Sequence, residues 1–386
     1  MPFKLRLKKS RQYNVVSKSL FVICVELLDS TTIECTLSAE SVGRECLDNV
    51  CQRLGLNQPE FFGLRYISRH GSPRWVELER PLKRQLDRYA RDFILYLRVM
   101  YYVSGVSLLH DEMTRYHYFL QLKSDVIEGR MSCDPKQAVL LASYSMQAEF
   151  GSHDLERHTA EYLKDFGLFP KHLTQQGHLE SLTEAVILQH AALAGLAQGT
   201  AEEYYILAAQ QLDGYGQETF LAKDESGNEV IIGISLTGIV VASEHNHTSK
   251  FYRWKDITNV VNHKRHFGME CQNPDESTQF QLSDVESAKY VWRMCVHQHT
   301  FFMQNEQASE TGSTAQIVRS LFTQTSTEDG TQIGSSREEL DSREVGGGGG
   351  WEREVQGVGW EREVQRAQST SCLDLAASQD IEKLRA

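Results

Sequence analysis

Eight cysteines, at positions 24, 35, 46, 51, 133, 271, 295 and 372, are the first place to look for a nucleophile. A cysteine that cleaves a phosphoester acts as a low-pKa thiolate, in a loop whose backbone amides and an arginine six residues on hold the phosphate. Six residues after each cysteine stand Ser30, Ser41, Gln52, Asn57, Val139, Ser277, Phe301 and Ser378, and none is arginine. No C-x-x-C pair is present, and most of the cysteines sit in apolar or amphipathic surroundings, as reduced buried thiols do. Histidines pair at 245 and 247, 263 and 266, and 297 and 299, yet no cysteine or carboxylate cluster completes a four-ligand set. Loop and helix-surface positions are the reading for these histidines, with His299 packed on an apolar stripe. Five glycines at 346–350 have neither a preceding strand nor a following Lys-Ser/Thr, which removes a phosphate loop. No catalytic residue, no cofactor and no metal are expected.

Binding chemistry is better supplied. Lys4, Arg6 and Lys8 alternate with Leu5 and Leu7, which places three cations on one face of an extended segment. With Lys9 and Arg11 they make five charges, each worth about 1 kcal/mol beside an anionic leaflet. The alternative is a solvated leader without a role. The chain as a whole carries a formal charge of −12, which argues against a general nucleic-acid binder.

No secretory signal is read at the start, and Met1-Pro2 and the Leu-Arg-Ala end offer no myristoylation or prenylation site. The most apolar segment, Val230–Ala242, is interrupted by Gly233 and Gly238 and reads as strands rather than a membrane span. These features predict a soluble intracellular protein, in which the sequon Asn246-His247-Thr248 is a coincidence of composition.

The elements that must position such groups fall into three blocks, in keeping with 386 residues and a prior of two or three domains. In the first, FVICVELL and IECTL alternate on either side of Asp29-Ser30-Thr31-Thr32, a hairpin. A helix follows with Leu47, Val50, Cys51 and Leu54 on one face and Gly55 at its end, then strands at Phe62–Ile67, Trp75–Leu78 and Phe93–Val99. In the second block only helices are predicted. One places Met113, Tyr116, Leu120 and Ile127 on a stripe and stops at Gly129; the next is capped by Asp134-Pro135. A third carries Leu179, Leu182, Val186 and Leu193, and a last opens on the capping box Thr200-x-x-Glu203. The third block returns to short strands and closes with a helix from the box Ser283-x-x-Glu286, with Val285, Ala288, Trp292, Cys295, His299 and Phe302 on its stripe.

Four segments, in three blocks, carry a family resemblance. QLKSDVIEGR (Gln121–Arg130) with QAEFG (Gln147–Gly151) resembles the middle lobe of FERM domains, WVELERPLKRQL (Trp75–Leu86) their first lobe, and AKYVWRMCVHQHTFF (Ala288–Phe302) their closing helix. The resemblance covers roughly residues 20–305. The opening MPFKLRLKKSRQYNVVSKS is further similar to the Pez-type subgroup of non-receptor tyrosine phosphatases, which place a FERM region ahead of a linker and a catalytic domain.

The resemblance implies an α+β multi-lobe FERM cloverleaf. A basic leader would occupy 1–19, a ubiquitin-like roll 20–105, an acyl-CoA-binding-protein-like helical bundle 106–214 and a PH/PTB-like lobe 215–305. Residues 306–386 hold 15 acids, 8 bases and the doubled WEREVQ, a composition that predicts a disordered tail.

The function implied is a non-catalytic adaptor joining cytoplasmic tails of membrane or junctional proteins, and phosphoinositides, to cytoskeletal proteins, in the cytoplasm at the inner face of the plasma membrane. Two alternatives stand beside it: the localising fragment of a tyrosine phosphatase, and a structural scaffold regulated by its acidic tail. Lys264 and Arg265, with Arg253 and Lys255, are the third-lobe candidates for lipid. His266, Phe267, Met269, Cys271, Tyr290 and Met294 are the expected peptide groove. No Pro follows Pro274, so the tail offers no PxxP or Pro-Pro-x-Tyr ligand.

Overall fold

The computed structural model describes residues 20–164, 166–174, 179–243 and 248–309. The leader cations Lys4, Arg6, Lys8, Lys9 and Arg11, most of the sequon and the WEREVQ tail lie outside these residues. The chain divides into two compact units between Met100 and Tyr101.

In the first unit, β1 (Leu20–Glu26) and β2 (Thr32–Ser38) form the expected hairpin. Its turn is held by the Thr31 amide donating to Asp29 Oδ1 at 3.0 Å, with Ser30 at φ 65. Helix α1 (Gly43–Leu54) buries Cys46, Leu47, Val50 and Cys51 and ends at Gly55, φ 67. Strands β3 (Phe62–Ile67), β4 (Pro73–Trp75) and β5 (Ile94–Val99) complete a sheet of order β2-β1-β5-β3-β4, in which β1 and β5 run parallel. This order is that of a ubiquitin-like roll. After Trp75 the predicted strand gives way to a loop leading into α2 (Leu82–Tyr89). The buried Gln85 of α2 substitutes for a pairing strand there. Its Oε1 accepts the Glu77 amide at 2.9 Å, and its Nε2 donates to the carbonyls of Glu77 and Arg80 at 2.8 and 3.1 Å. The WVELERPLKRQL segment thus runs from the end of β4 through a loop, held in part by the Gln85 side chain, into α2.

The second unit opens with helices α3 (Glu112–Ile127), α4 (Pro135–Phe150), the short α5 (Ala160–Leu163) and α6 (Lys171–Thr174), α7 (Leu179–Ala192) and α8 (Gln198–Ala209). The stripe expected on α3 is corrected. Met113 is 40% exposed, while Thr114, His117, Tyr118, Gln121, Leu122, Asp125 and Val126 are buried. An apolar-periodicity reading passes over the buried face because its polar members are paired. Asp125 accepts from the Tyr102 hydroxyl, from Gln121 Nε2 at 2.8 Å and from Arg130 Nε at 2.7 Å. Gly129, at φ 79, turns the chain so that Arg130 can reach back. Lys123 and Glu149 are joined at 2.6 Å, which ties the two middle-lobe motifs to each other.

Asp134 caps α4 as expected, in a box with Gln137. The box expected at Thr200 and Glu203 does not form. Helix α8 starts earlier, after Ala197, and its acids face Arg115, which lies 3.4 Å from Glu202 and 3.6 Å from Glu203.

A closed ring of hydrogen bonds fixes the segment leading into this lobe. The Val103 amide donates to Tyr118 Oη at 2.8 Å, the two hydroxyls of Tyr118 and Tyr215 lie 2.7 Å apart, and Tyr215 Oη donates to the Val103 carbonyl at 2.9 Å. Because the Tyr215 proton goes to Val103, the Tyr118 proton must go to Tyr215. Gln210 Nε2 adds a second bond to the same carbonyl at 3.0 Å.

The third lobe contains β6 (Glu218–Lys223), β7 (Glu229–Ile234), β8 (Gly238–Ser243), β9 (Thr248–Arg253), β10 (Ile257–His263), β11 (His266–Cys271) and β12 (Thr278–Gln281), in the order β10-β11-β12-β6-β7-β8-β9. One residue pair, Gln281 with Lys223, joins β12 to β6, so the sheet turns a corner there. Trp254, 1% exposed, anchors the β7–β8 turn by donating to the carbonyls of Ser235 and Leu236. Helix α9 (Val285–Ser309) closes the lobe. Its cap is Asp284, not the expected Ser283: Asp284 accepts the Ser287 amide at 2.8 Å, and Ser283 only donates to Asp284. The helix also runs past the expected tail boundary at 306. Among the described residues, no helix is long and apolar enough to cross a membrane.

Replacing Tyr118 with Phe strips the Val103 amide of its acceptor, and urea denaturation should register a loss of about 1–3 kcal/mol. Burial pushes Tyr215 up to about 12 from an ordinary 10.0. A tyrosine that ionises later in the folded state stabilises the fold below pH 10 and loses that contribution as the pH rises through its folded value. The wild-type urea midpoint should therefore fall between about pH 10 and about pH 12. A midpoint flat across that window would contradict the burial of the Tyr215 hydroxyl.

Candidate functional site

The expected groove residues do not line a groove. Strand β11 is paired on both sides, to β10 and to β12, so it offers no free edge. Its alternation turns Phe267, Met269 and Cys271 into the core, at 0%, 1% and 7% exposure. Tyr290 and Met294 occupy the buried face of α9, where Tyr290 packs on Phe220 and donates to Glu218. Only His266 is exposed. The correction has a simple cause: two-residue periodicity identifies which side chains point inward but says nothing about which strand ends a sheet.

The two ends of the sheet are β9 and β10, and β10 is the one beside α9. Among the described residues, no strand pairs with its outer side. The Val260 carbonyl points that way, because it accepts Trp292 Nε1 of α9 at 3.0 Å. In an antiparallel ladder the amide of a residue shares the side of its carbonyl, so Val260 presents a donor to the same edge. Val285, Lys289, Trp292 and Val296 follow one another at spacings of four, three and four along α9, a single stripe. Val285 is 51% exposed and Trp292 and Val296 are half-buried. A strand edge beside a partly apolar helical stripe is suited to an extended peptide, with main-chain bonds on one side and side-chain contacts on the other.

Lys264 and Arg265 form the two-residue tip between β10 and β11, where His263 pairs with His266. All four side chains are exposed, and Lys264 sits at φ 53. The tip therefore projects two fixed charges and two titratable rings from the end of the edge strand. Arg253 instead folds onto Asp256 at 2.7 Å. His299 lies beside the Trp254 ring, centroids 5.6 Å apart, in keeping with its reading as a packed residue.

The seven described cysteines are free, and all but Cys24 are buried. Cys35 is lowered to about 7, by a bond from the Cys46 thiol and the charge of Arg53. At 1% exposure its sulfur is sealed from any substrate. One cluster escaped the sequence reading. His153, His158 and His190 converge in the helical lobe, and burial holds the imidazoles of His158 and His190 below their ordinary value. The signal was available: His190 follows Val186 by four residues and continues the buried side of α7, where Leu193 had been expected.

Three domain families match in chain order: the FERM N-terminal domain over residues 25–88, the FERM central domain over 104–220 and the FERM C-terminal PH-like domain over 224–310. The chain is 42% identical over 320 residues to tyrosine-protein phosphatase non-receptor type 14 of Mus musculus, which is 83% of this chain and 27% of that protein. It is 42% identical over 307 residues to the type 21 phosphatase of Rattus norvegicus, 79% of this chain and 26% of that one. With Protein 4.1 of Bos taurus it shares 30% over 284 residues, 72% and 44% of the two chains. The chain thus spans about a quarter of the length of the phosphatase relatives. Among solved structures, the FERM and C-terminal domain complex of Drosophila Merlin matches with a TM-score of 0.68 at 23% identity, over 75% of this chain and 98% of that one.

Trp292→Phe keeps the ring packing and removes the donor to Val260. Guanidinium denaturation should show a loss of about 1 kcal/mol, and the Val260 carbonyl should be left open at the edge. A loss of several kcal/mol would mean that Trp292 is a core residue and no part of an accessible groove.

Proposed function

The chain belongs to the FERM family, in the branch of the Pez-type non-receptor tyrosine phosphatases, and from that premise we propose that it is a non-catalytic adaptor of the cell cortex. It captures cytoplasmic tails of membrane or junctional proteins and couples them to cytoskeletal proteins. The observation that carries this reading is the outer edge of β10 beside the Val285–Val296 stripe of α9. A tail that adds to this edge gains main-chain hydrogen bonds independent of its sequence and draws specificity from the stripe. The Trp292 bond to Val260 acts as a placeholder that an incoming strand displaces. The absence of arginine six residues after every cysteine supports the non-catalytic part of the reading.

The share of the relatives that the chain covers favours a second reading. In a longer protein, this region localises a tyrosine phosphatase domain, and the same edge then selects the membrane at which dephosphorylation takes place. Both readings use the lobes in the same way and differ only in the cargo.

Anionic lipid supplies a second anchor in this proposal. Lys264 and Arg265 stand at the hairpin tip within a Debye length of any surface it touches, about 8 Å at physiological salt. Their attraction, about 1 kcal/mol each, orients the body more than it holds it.

Val260→Pro removes the outward donor without breaking the β10–β11 ladder, since proline is tolerated on an edge. Fluorescence anisotropy with a panel of extended peptides from cytoplasmic tails should show binding to wild type and at least about tenfold weaker binding to this variant, the loss of a main-chain bond to a buried site. Equal affinities would overturn strand addition. For the lipid anchor, Lys264→Gln with Arg265→Gln should reduce co-sedimentation with phosphoinositide vesicles at low salt. Unchanged sedimentation would remove the hairpin tip from the lipid surface.

A further inference from the structure

We propose that His153, His158 and His190 form a site for a divalent transition-metal ion of the zinc class within the helical lobe. His153 and His158 come from the loop between α4 and α5, and His190 comes from the last turns of α7. One nitrogen from each ring lies within 4.8 Å of the others. The ring centroids form a nearly equilateral triangle with sides of 5.5, 5.4 and 5.2 Å.

The hydrogen bonds around the triangle leave a bare lone pair on His190 and an unpartnered ring nitrogen on His153. His190 is 0% exposed, and its Nε2 lies 2.8 Å from the Gly151 carbonyl. A carbonyl can only accept, so Nε2 carries the proton and Nδ1 is a bare lone pair. That Nδ1 is buried without a hydrogen-bond partner, and so is Nδ1 of His153. His158 Nδ1 is likewise a lone pair, accepting the Asp154 amide at 3.0 Å. Histidine ligands of metals are held in this manner, with one nitrogen bound to a fixed acceptor and the other left for the cation. A buried polar atom without a partner is costly and calls for an explanation. Two ring nitrogens, His190 Nδ1 and His153 Nδ1, are thus unpartnered, and a cation bound among the three rings would take both together with one nitrogen of His158.

The donor set identifies the class of ion, and the spacing says what must move. Zinc–nitrogen bonds of about 2.0–2.1 Å place the nitrogens of a tetrahedral site about 3.3 Å apart. The loop carrying His153 and His158 therefore moves inward onto His190, which the helix holds in place. His158 gives up the Asp154 amide as it does so. Among the described residues no carboxylate belongs to the cluster. Asp154 instead uses Oδ1 to accept the amides of Glu156 and Arg157 at 2.9 and 3.3 Å. Three neutral imidazoles select zinc, copper or nickel over magnesium and calcium, which require oxygen. His153 is half-buried and is the least buried of the three rings, and a water would complete the fourth position. Bound there, the ion clips the α4–α5 loop to α7.

The full chain, without a purification tag and stripped of metal, should be titrated with zinc chloride and, as a spectroscopic probe, cobalt chloride. The expected result is one zinc per chain, cobalt absorption bands of a tetrahedral site, and a melting temperature raised by about 5 °C or more. Magnesium chloride should leave it unchanged. His153→Asn, at the least buried position, should keep its helical circular dichroism and lose the zinc-dependent shift; the control His263→Asn at the exposed hairpin tip should retain it. Failure of the wild-type chain to bind zinc one-to-one would overturn the proposal. So would an undiminished shift in the His153→Asn variant, or a shift lost equally in His263→Asn.

Discussion

The carboxylate of Asp125 is the constraint around which the second unit is arranged. At 5% side-chain exposure it cannot be left charged without partners, because the desolvation of a lone buried carboxylate exceeds any single interaction available to it. Three donors from three different parts of the chain converge on it. Gln121 comes from the same helix, Arg130 from beyond the turn at Gly129, and Tyr102 from the segment that leads into the lobe. Each partner fixes one feature of the fold: the register of α3, the direction of the chain after it, and the position of the strand-to-helix connection. The ring through Val103, Tyr118 and Tyr215 adds the connection that leaves the lobe, so both ends of the bundle are bound to one helix.

This arrangement explains why a helix can be buried on most of its surface and still contain Gln, Asp and His. It also separates the energetics of the lobe into unequal parts. Half-exposed pairs such as Lys123 with Glu149 contribute up to about 1 kcal/mol each, and their loss would loosen a surface. The Asp125 network contributes through what its disruption leaves behind, an uncompensated charge and orphaned donors. Tyr101, next to Tyr102, stacks on Phe301 of α9 at 4.3 Å and 10°, which carries the same constraint to the helix beside the β10 edge. A fixed helix beside a fixed edge is what a strand-accepting groove needs, because a mobile groove would spend binding energy on its own ordering.

Local features of this fold were legible in the residues, and pairings distant in sequence were not. The turn at Asp29–Thr32, the glycine stop after α1 and the cap at Asp134 depend on a few adjacent residues, and each forms as read. The cap at Ser283 fails because a better acceptor, Asp284, stands next to it, and the box at Thr200 fails because Glu202 and Glu203 pair with Arg115, far away in sequence. The stripe on α3 fails because hydrophobicity alone cannot recognise a buried face made of paired polar groups. The groove expectation fell on β11, a strand paired on both sides, because sheet order is set by pairings between strands, which alternation does not encode. The motifs themselves were legible as strings; their meaning, Gln85 closing a loop and Lys123 meeting Glu149, appears only in three dimensions.

Two of the buried polar groups of the helical lobe, Asp125 and His190, differ in a way that bears on how each is read. Around Asp125 every donor has an acceptor, and the sum of the bonds accounts for the burial, so nothing is left over for a ligand. Around His190 the Gly151 carbonyl accounts for one nitrogen and nothing accounts for the other. Both groups sit in the same bundle, under the same packing, on helices of similar length, so low dielectric by itself does not distinguish them. What distinguishes them is the balance of donors and acceptors. A closed balance is a structural device whose residues must covary in shape and charge to survive substitution. An open balance, with unpartnered nitrogens from separate segments near one another, leaves room for a ligand that a closed one does not.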